Sequence, residues 1–205
     1  MSERRFRVED IAAHSSLFRR LDAIAGITVD LRYAGTNNFD GRVLYRGIDC
    51  AWLRVEAAQG LEASAAWLTE HHRGHRILLL DALRPQRVQE AIWRDVEGTP
   101  AERYFANPAR GSIHSFGMAV DVTLQDAQGR ELDMGSGFDE MNAKSHPSLE
   151  AEQLAAGAIS RAHIAAREML RGAMAAGGFK GIPTEWWHFN HGDPAHIRAE
   201  FARVD

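Results

Sequence analysis

The stretch Ser112-Ile-His-Ser-Phe-Gly-Met-Ala-Val-Asp-Val-Thr-Leu124 brings a histidine and a carboxylate together across a turn that contains glycine. After Gly117, apolar residues alternate with Ala119, Asp121 and Thr123, which is the period of a half-buried β-strand. Asp121 is therefore expected to face away from the most apolar side of the strand. A carboxylate in mid-strand must be solvated, paired or bound to a metal.

A second histidine and a second carboxylate occur in Glu185-Trp-Trp-His188, after a loop rich in glycine and proline. Two histidines and one aspartate are three of the four ligands of a catalytic zinc, with the fourth position left to water. The turn at Gly117 must then fold His114 back toward Asp121. Glu185 and His188 are three residues apart and would face opposite sides of a regular strand, so we expect Glu185 on the loop or a bulge before it, within reach of that water.

Composition limits the class of protein. The 205 residues, of which 45% are apolar, fit a single domain over residues 1–205 with a sizeable core. The 24 basic and 28 acidic side chains form no dense basic run, which argues against nucleic acid as a partner and favours a small polar or zwitterionic substrate. Cys50 is the only cysteine, so an intrachain disulfide and a cysteine-rich zinc site are excluded, and it is expected to be a small buried hydrophobe.

The segment Met1–Asp10 carries early charge but leads into no apolar run, so no secretory signal peptide is expected there. No apolar stretch is long enough to span a bilayer. These features predict a cytoplasmic location and no membrane partner. The sequence does not indicate an oligomeric state.

Periodicity predicts alternating strands and helices. The predicted strands are Gly26–Leu31, Arg76–Asp81, Met118–Leu124 and a strand within Glu185–Asn190. The predicted helices are Cys50–His72, weakened at Gly60; Gln86–Val96; and Ser148–Ala176, loosened at Gly157 and Gly172 and ended by Gly177-Gly178. A hairpin is expected within Gln125–Gly135, and turn-rich loops at Arg32–Gly41 and Thr99–Gly111.

Arg84 follows the predicted strand Arg76–Asp81 and precedes Pro85, which favours the first turn of a helix. A cation held at the end of a core strand by a rigid dipeptide is well placed to meet an anion or a developing oxyanion. The alternative is an exposed surface ion pair, since most arginines are exposed.

Taken together, these residues resemble the zinc D-alanyl-D-alanine dipeptidases involved in glycopeptide antibiotic resistance and D-Ala-D-Ala recycling. The resemblance covers most of the chain and rests on the following motifs: Asp30-Leu-Arg-Tyr-Ala34, Asn38-Phe39, Asp81 with Arg84-Pro85, Ser112-x-His-Ser-x-Gly-x-Ala-x-Asp121, Met134-Gly-Ser-x-Phe-Asp139, Lys144-Ser-His146 and Glu185-Trp-Trp-His188. It implies an α+β fold, with a small, mostly antiparallel sheet flanked by helices and a zinc site on the sheet. Ala82-Leu83 departs from the glycine and tyrosine that the family more often has before Arg-Pro.

The resemblance also implies roles for individual residues. One zinc ion per chain would be held by His114, Asp121 and His188. Glu185 would be the general base, and Arg84 would stabilise the tetrahedral intermediate. Three residues would bind the substrate: Ser112 and Asp139 at its free ammonium group, together with Tyr33.

The predicted function is therefore the zinc-dependent hydrolysis of free D-alanyl-D-alanine to two D-alanines. A D,D- or L,D-carboxypeptidase that acts on peptidoglycan stem peptides would use the same zinc centre with an open amino-side subsite. A zinc-stabilised binding module without catalysis is the third hypothesis, but it would need neither a base nor an oxyanion donor. Five other histidines could each replace a predicted ligand: His72, His75, His146, His191 and His196.

Overall fold

A computed structural model describes residues 5–205. Nine strands lie within that range: β1 Arg5–Phe6, β2 Phe18–Arg20, β3 Ile27–Val29, β4 Trp52–Arg54, β5 Arg76–Asp81, β6 Ala119–Gln125, β7 Phe179–Gly181, β8 His188–His191 and β9 Arg203–Val204. Five α-helices lie in the same range: α1 Val55–His71, α2 Gln86–Val96, α3 Glu150–Ala155, α4 Arg161–Ala176 and α5 Pro194–Glu200.

The central element is a five-stranded sheet in the order β3-β5-β6-β8-β7. Strands β3 and β5 are parallel, and the other three pairings are antiparallel. Helices α1 and α4 pack together and share the main core with β5, β6 and β8. Helix α2 packs in a second cluster with Tyr33 and Tyr45. The predicted α+β class and mostly antiparallel sheet are confirmed.

Strand β6 is buried along Ala119–Leu124, so the prediction of a half-buried strand is wrong. Val120, Val122 and Leu124 join the main core, as the alternation predicts, but Ala119 on the face of Asp121 belongs to the same core cluster. The second face is covered as well, because Asp121 and Thr123 are also buried, and residues 131–138 line a pocket together with Thr123. The polar residues of this alternating pattern therefore face a buried site and are not exposed to solvent.

Two predicted helices differ in the structure. The helix expected at Cys50 begins at Val55, because Trp52–Arg54 pairs with Phe18–Arg20 as a strand. The helix expected over Ser148–Ala176 is divided into α3 and α4 at Gly157, whose φ is +70°. Ser160 then restarts the chain as an N-cap, in a reciprocal pair of hydrogen bonds with His163.

Other predictions are confirmed by the structure. Strand β5 and helix α2 have the predicted bounds, α4 ends at Ala176 before the two glycines, and Cys50 is buried and unpaired. No helix in residues 5–205 is long and apolar enough to cross a membrane. The prediction made from Met1–Asp10 rests partly on residues 1–4, which lie outside the described residues.

Gly60 has a packing role that its weak helix propensity did not indicate. A Cβ atom at this position of α1 would lie 2.5 Å from the carbonyl oxygen of Gly177 and 2.8 Å from the ring of His191. The absence of a side chain lets α1 approach the end of α4 and the end of β8 at backbone distance. The sheet strand that carries His188 is thereby packed directly against two helices.

Candidate metal centre and active site

Backbone pairing positions the three predicted ligands. Asp121 on β6 and His188 on β8 are register partners in adjacent antiparallel strands. His114 lies in the short 3₁₀ turn Ile113–Phe116, and Gly117 follows it with φ +67°, a left-handed conformation that glycine adopts without strain. The reversal at Gly117 brings His114 back over the strand, as the sequence predicted.

The three side chains converge on one point. His114 Nε2 lies 3.1 Å from His188 Nδ1 and 3.4 Å from Asp121 Oδ1, and His188 Nδ1 lies 3.0 Å from the same oxygen. Ligands of a tetrahedral zinc at about 2.0–2.1 Å would be separated by about 3.3 Å. Within residues 5–205 this is the only group of three such side chains close enough to hold a metal ion.

In both imidazoles, the ring nitrogen that points away from the cluster already makes a hydrogen bond. His114 Nδ1 donates to the carbonyl of Ala82 over 2.7 Å, and His188 Nε2 donates to Asn190 Oδ1 over 3.0 Å. In the neutral rings the inner nitrogens are then unprotonated. Two nitrogen lone pairs and a carboxylate oxygen therefore face one another, an arrangement that calls for a cation between them.

Asn190 was not foreseen from the sequence. It stands two residues after His188 on the same strand, so the two side chains share a face of β8. This spacing of two residues is the feature of the sequence that could have identified Asn190 as a partner of His188. Burial opposes ionisation of Asp121, but His114 and His188 outweigh it and hold the pKa of this carboxyl well below its usual range.

Glu185 lies in the loop before β8, as predicted. Burial, together with the carboxylates of Asp121 and Asp139, raises the pKa of Glu185 to about 7, although His188 and Arg84 act in the opposite direction. A carboxyl group with this pKa can both take up and release a proton near neutral pH.

Arg84 is only 6% exposed, so the alternative of a surface ion pair is wrong. Its Nε and Nη2 donate to Asp81 Oδ2 over 3.0 and 2.7 Å, and its Nη1 donates to Gln89 Oε1 over 3.0 Å. Nη2 also lies 3.5 Å from Asp121 Oδ2. One N–H of Nη1 is left without a partner among residues 5–205.

Asp81, which fixes Arg84, is itself held on its other oxygen by the Tyr45 hydroxyl and by the Ala82 backbone N–H. The sequence placed Asp81 in a motif without a role, and it gave no sign of Gln89 or Tyr45, which come from different elements. The guanidinium is therefore immobilised by buried acceptors before any ligand arrives.

The three predicted substrate-binding residues lie around the same cavity. Asp139 has a left-handed backbone with φ +58°, and one of its oxygens accepts from the Phe39 N–H over 3.2 Å. Burial and the Asp121 carboxylate raise the pKa of Asp139 to about 7. The Tyr33 ring lies 4.8 Å from the Arg84 guanidinium, and Ser112 is buried at the start of the His114 turn.

The cavity has a volume of about 230 Å³, which suits a small ligand. It is lined by all eight residues singled out in the sequence: Tyr33, Arg84, Ser112, His114, Asp121, Asp139, Glu185 and His188. None of the five other histidines is among the lining residues, although His146 Nε2 lies 3.0 Å from the hydroxyl of Tyr104, a residue of the cavity wall.

Comparison with known proteins finds one matching family and several relatives. A family model described as D-ala-D-ala dipeptidase matches residues 17–204. The chain is 36% identical to the D-alanyl-D-alanine dipeptidase of Escherichia coli K12 over 163 residues, which cover 80% of this chain and 78% of that protein. It is 30% identical over 193 residues to a protein of the same name from Streptomyces coelicolor, with 85% and 91% covered, and 31% identical over 179 residues to one from Synechocystis, with 73% and 72% covered.

Proposed function

The chain belongs to the D-Ala-D-Ala dipeptidase family, and from that premise we propose that it hydrolyses free D-alanyl-D-alanine to two molecules of D-alanine. The observation that carries the proposal is the convergence of three potential metal ligands, a carboxyl group with a pKa near neutrality and a fixed guanidinium on one small cavity. We further propose that residues 1–205 form one catalytic domain.

We propose that one zinc ion is held by His114 Nε2, His188 Nδ1 and an oxygen of Asp121. The fit rests on the separations of 3.0–3.4 Å and on the two lone pairs that face the carboxylate. When bound, zinc supplies a Lewis acid for the scissile carbonyl and lowers the pKa of a bound water. Ala82 and Asn190 hold the rings in the tautomers that this ligation needs.

Glu185 is proposed as the general base. Its position on the loop beside His188 keeps it out of the ligand set while it still lines the cavity. It takes a proton from the attacking water and passes it to the leaving amino group. A carboxyl group with a pKa near 7 can serve in both directions without a large free-energy cost in either.

Arg84 is proposed to bind the carbonyl oxygen as negative charge develops on it. Asp81 and Gln89 fix the guanidinium, so little reorganisation is needed at the moment of reaction. The remaining N–H of Nη1 is the donor available for this contact.

Asp139 is proposed to bind the free ammonium of the dipeptide, with Ser112 and Tyr33 beside it. The raised pKa of Asp139 reflects an ionised form that lacks a positive partner, and an ammonium group would supply one. An acylated or longer peptide would bring no charge and would leave the carboxylate desolvated. This contact would restrict the substrate to free dipeptides.

Substrate length tests the proposal against a carboxypeptidase. Purified zinc-loaded protein is assayed with D-Ala-D-Ala, N-acetyl-D-Ala-D-Ala and a pentapeptide that ends in D-Ala-D-Ala, with release of D-alanine as the readout. We expect efficient hydrolysis of the free dipeptide and at least about 100-fold lower kcat/KM on the other two. Comparable rates on all three would favour a carboxypeptidase, and no hydrolysis of any would favour a binding module.

A further inference from the structure

Besides Arg84, three arginines line the cavity and have no part in the chemistry proposed above. Arg103 packs on the Tyr104 ring and donates to its hydroxyl. The other two are Arg198, on helix α5, and Arg110, in the loop that leads to Ser112. Arg198 is half-buried and Arg110 is exposed. Both line the same cavity as the potential metal ligands, so their charges face the space that a ligand would occupy.

Arg198 is held in place by backbone carbonyls. Its Nε donates to the carbonyl of Gly111 over 3.1 Å, and its Nη1 donates to that of Pro194 over 3.3 Å. Neither contact neutralises its charge. In the described part of the chain its Nη2 has no hydrogen-bond partner, so an oriented, charged donor remains available.

The charge of this pair is only partly balanced. Neither Arg110 nor Arg198 forms an ion pair with a carboxylate of residues 5–205. Burial and the charges of Arg110 and Arg203 lower the pKa of Arg198, and Asp193 acts in the opposite direction. Asp193 caps α5 by accepting from the N–H groups of Ala195 and His196, and it makes no direct ion pair with either arginine in residues 5–205. An anion would be stabilised beside these two guanidiniums.

The arginines and Asp139 reach the cavity from different elements of the fold. Tyr33 follows β3 at one edge of the sheet, and Asp139 contacts the nearby Phe39. Arg198 lies on α5, which follows β8, on the other side of β6 in the strand order. The cavity wall thus carries a carboxylate and two guanidiniums that come from separate elements.

We propose that Arg198, assisted by Arg110, binds the C-terminal carboxylate of the substrate and so selects peptides with a free carboxyl end. This inference rests on the proposed dipeptidase function. The ends of an extended dipeptide are at most about 7 Å apart, so a single cavity can hold both of them. Asp139 would select the amino end and Arg198 the carboxyl end, which together define a free dipeptide.

The test compares D-Ala-D-Ala with D-alanyl-D-alaninamide, which has a neutral end in place of the carboxylate. We expect the wild-type protein to prefer the acid over the amide by about 10- to 100-fold in kcat/KM. In Arg198→Gln this preference should fall at least tenfold, mainly through a higher KM for the acid. The ratio of the two substrates on one preparation cancels any loss of folded protein.

Two further variants sharpen the test. Arg110→Gln should reduce the preference by a smaller factor, about 3- to 10-fold, and it removes no hydrogen bond of the described chain. Arg203→Gln is the matched control. This arginine binds the carbonyls of Pro108 and Ala109 in the same loop but does not line the cavity, so its loss should leave the preference unchanged.

The outcomes separate the inference from the function on which it rests. If the wild-type protein hydrolyses D-Ala-D-Ala and Arg198→Gln keeps the wild-type preference, the inference is wrong and the dipeptidase function stands. An equal fall in Arg203→Gln would also overturn it, because the effect would then be long-range charge alone. A wild-type protein that neither binds nor hydrolyses the dipeptide overturns both.

Discussion

The metal-ligand side of the cavity and its loop side are built in different ways. Asp121 and His188 lie on paired strands. In each imidazole of the cluster, the ring nitrogen that points away from the cluster donates a hydrogen bond that fixes the ring. Asp139 and Glu185 lie on loops. Asp139 accepts one hydrogen bond, and the Glu185 carboxylate has none within residues 5–205. The first side is pre-formed for a cation, whereas the second keeps carboxyl groups whose partner must come from a ligand.

The largest expected effect comes from breaking the pre-formed side. His188→Ala removes one of the three side chains that meet at 3.0–3.4 Å, so bound zinc should fall from about one per chain to near zero. The loss of several kcal/mol of Lewis-acid stabilisation should lower kcat/KM roughly 1,000-fold or more. Metal analysis of the dialysed protein is the measurement.

His196→Ala is the control for this change. His196 lies on α5 outside the cavity, and its loss should leave the zinc content and the activity as they are. Full zinc occupancy in His188→Ala would mean that the ligand set is different.

Glu185→Gln acts on the loop side alone. Because Glu185 is not one of the clustered ligands, the variant should keep its zinc. The loss of the proton acceptor should lower kcat about 100- to 10,000-fold. Zinc analysis and steady-state kinetics on one preparation measure both quantities, and retained zinc together with near wild-type kcat would remove Glu185 from the role of base.

Asn190→Ala tests how far metal binding depends on the hydrogen bond that the outer ring nitrogen of His188 makes. The variant removes the acceptor of His188 Nε2 and frees the ring to change tautomer. We expect zinc affinity to weaken about 10- to 100-fold, with the ion still bound at saturating concentration. A chelator competition titration measures the affinity, and an unchanged constant would show that the register of β8 alone orients the ring.

The smallest expected effect concerns the pH dependence of the metal-free protein. The pKa of Asp139 is raised from 3.8 to about 7, so the folded state retains a proton that the unfolded state has released. The free energy of unfolding should therefore fall as pH rises from 4.5 to 7.5. The full shift corresponds to about 4 kcal/mol, and water screening of this half-buried group reduces the expectation to about 1–3 kcal/mol.

Asp139→Asn isolates this contribution, because asparagine does not titrate. The difference in unfolding free energy between the wild-type protein and the variant should change with pH by that amount in urea titrations. If the unfolding free energies of the two proteins changed with pH in parallel, Asp139 would be adequately solvated in the absence of substrate.

Local signals explain which parts of the molecule could be predicted. Strand β5 and helix α2 were predicted to the residue, because a buried apolar run and Pro85 act on their immediate neighbours. The ligand turn was predicted because a glycine lies between His114 and Asp121. What failed depended on tertiary packing: β4 exists because it pairs with Phe18–Arg20, and both faces of β6 are buried.

The same limit applies within the site. The local sequence indicates that Arg84 is a cation, but it cannot show that the side chain hydrogen-bonds both Asp81, three residues earlier, and Gln89 on the next helix. Nor can it place Arg198 beside residues that precede it by more than eighty positions. These contacts are set by the packing of whole elements.

The close approach of Gly60 and Gly177 has a consequence for attempts to engineer a more heat-resistant protein. Replacing a helical glycine with alanine usually adds about 0.5–1 kcal/mol of stability. At Gly60 the new methyl group would meet a backbone oxygen at 2.5 Å and the ring of His191, three residues after His188. A substitution chosen for thermal tolerance would thus press on the strand that carries a proposed metal ligand, although Gly60 itself does not line the cavity.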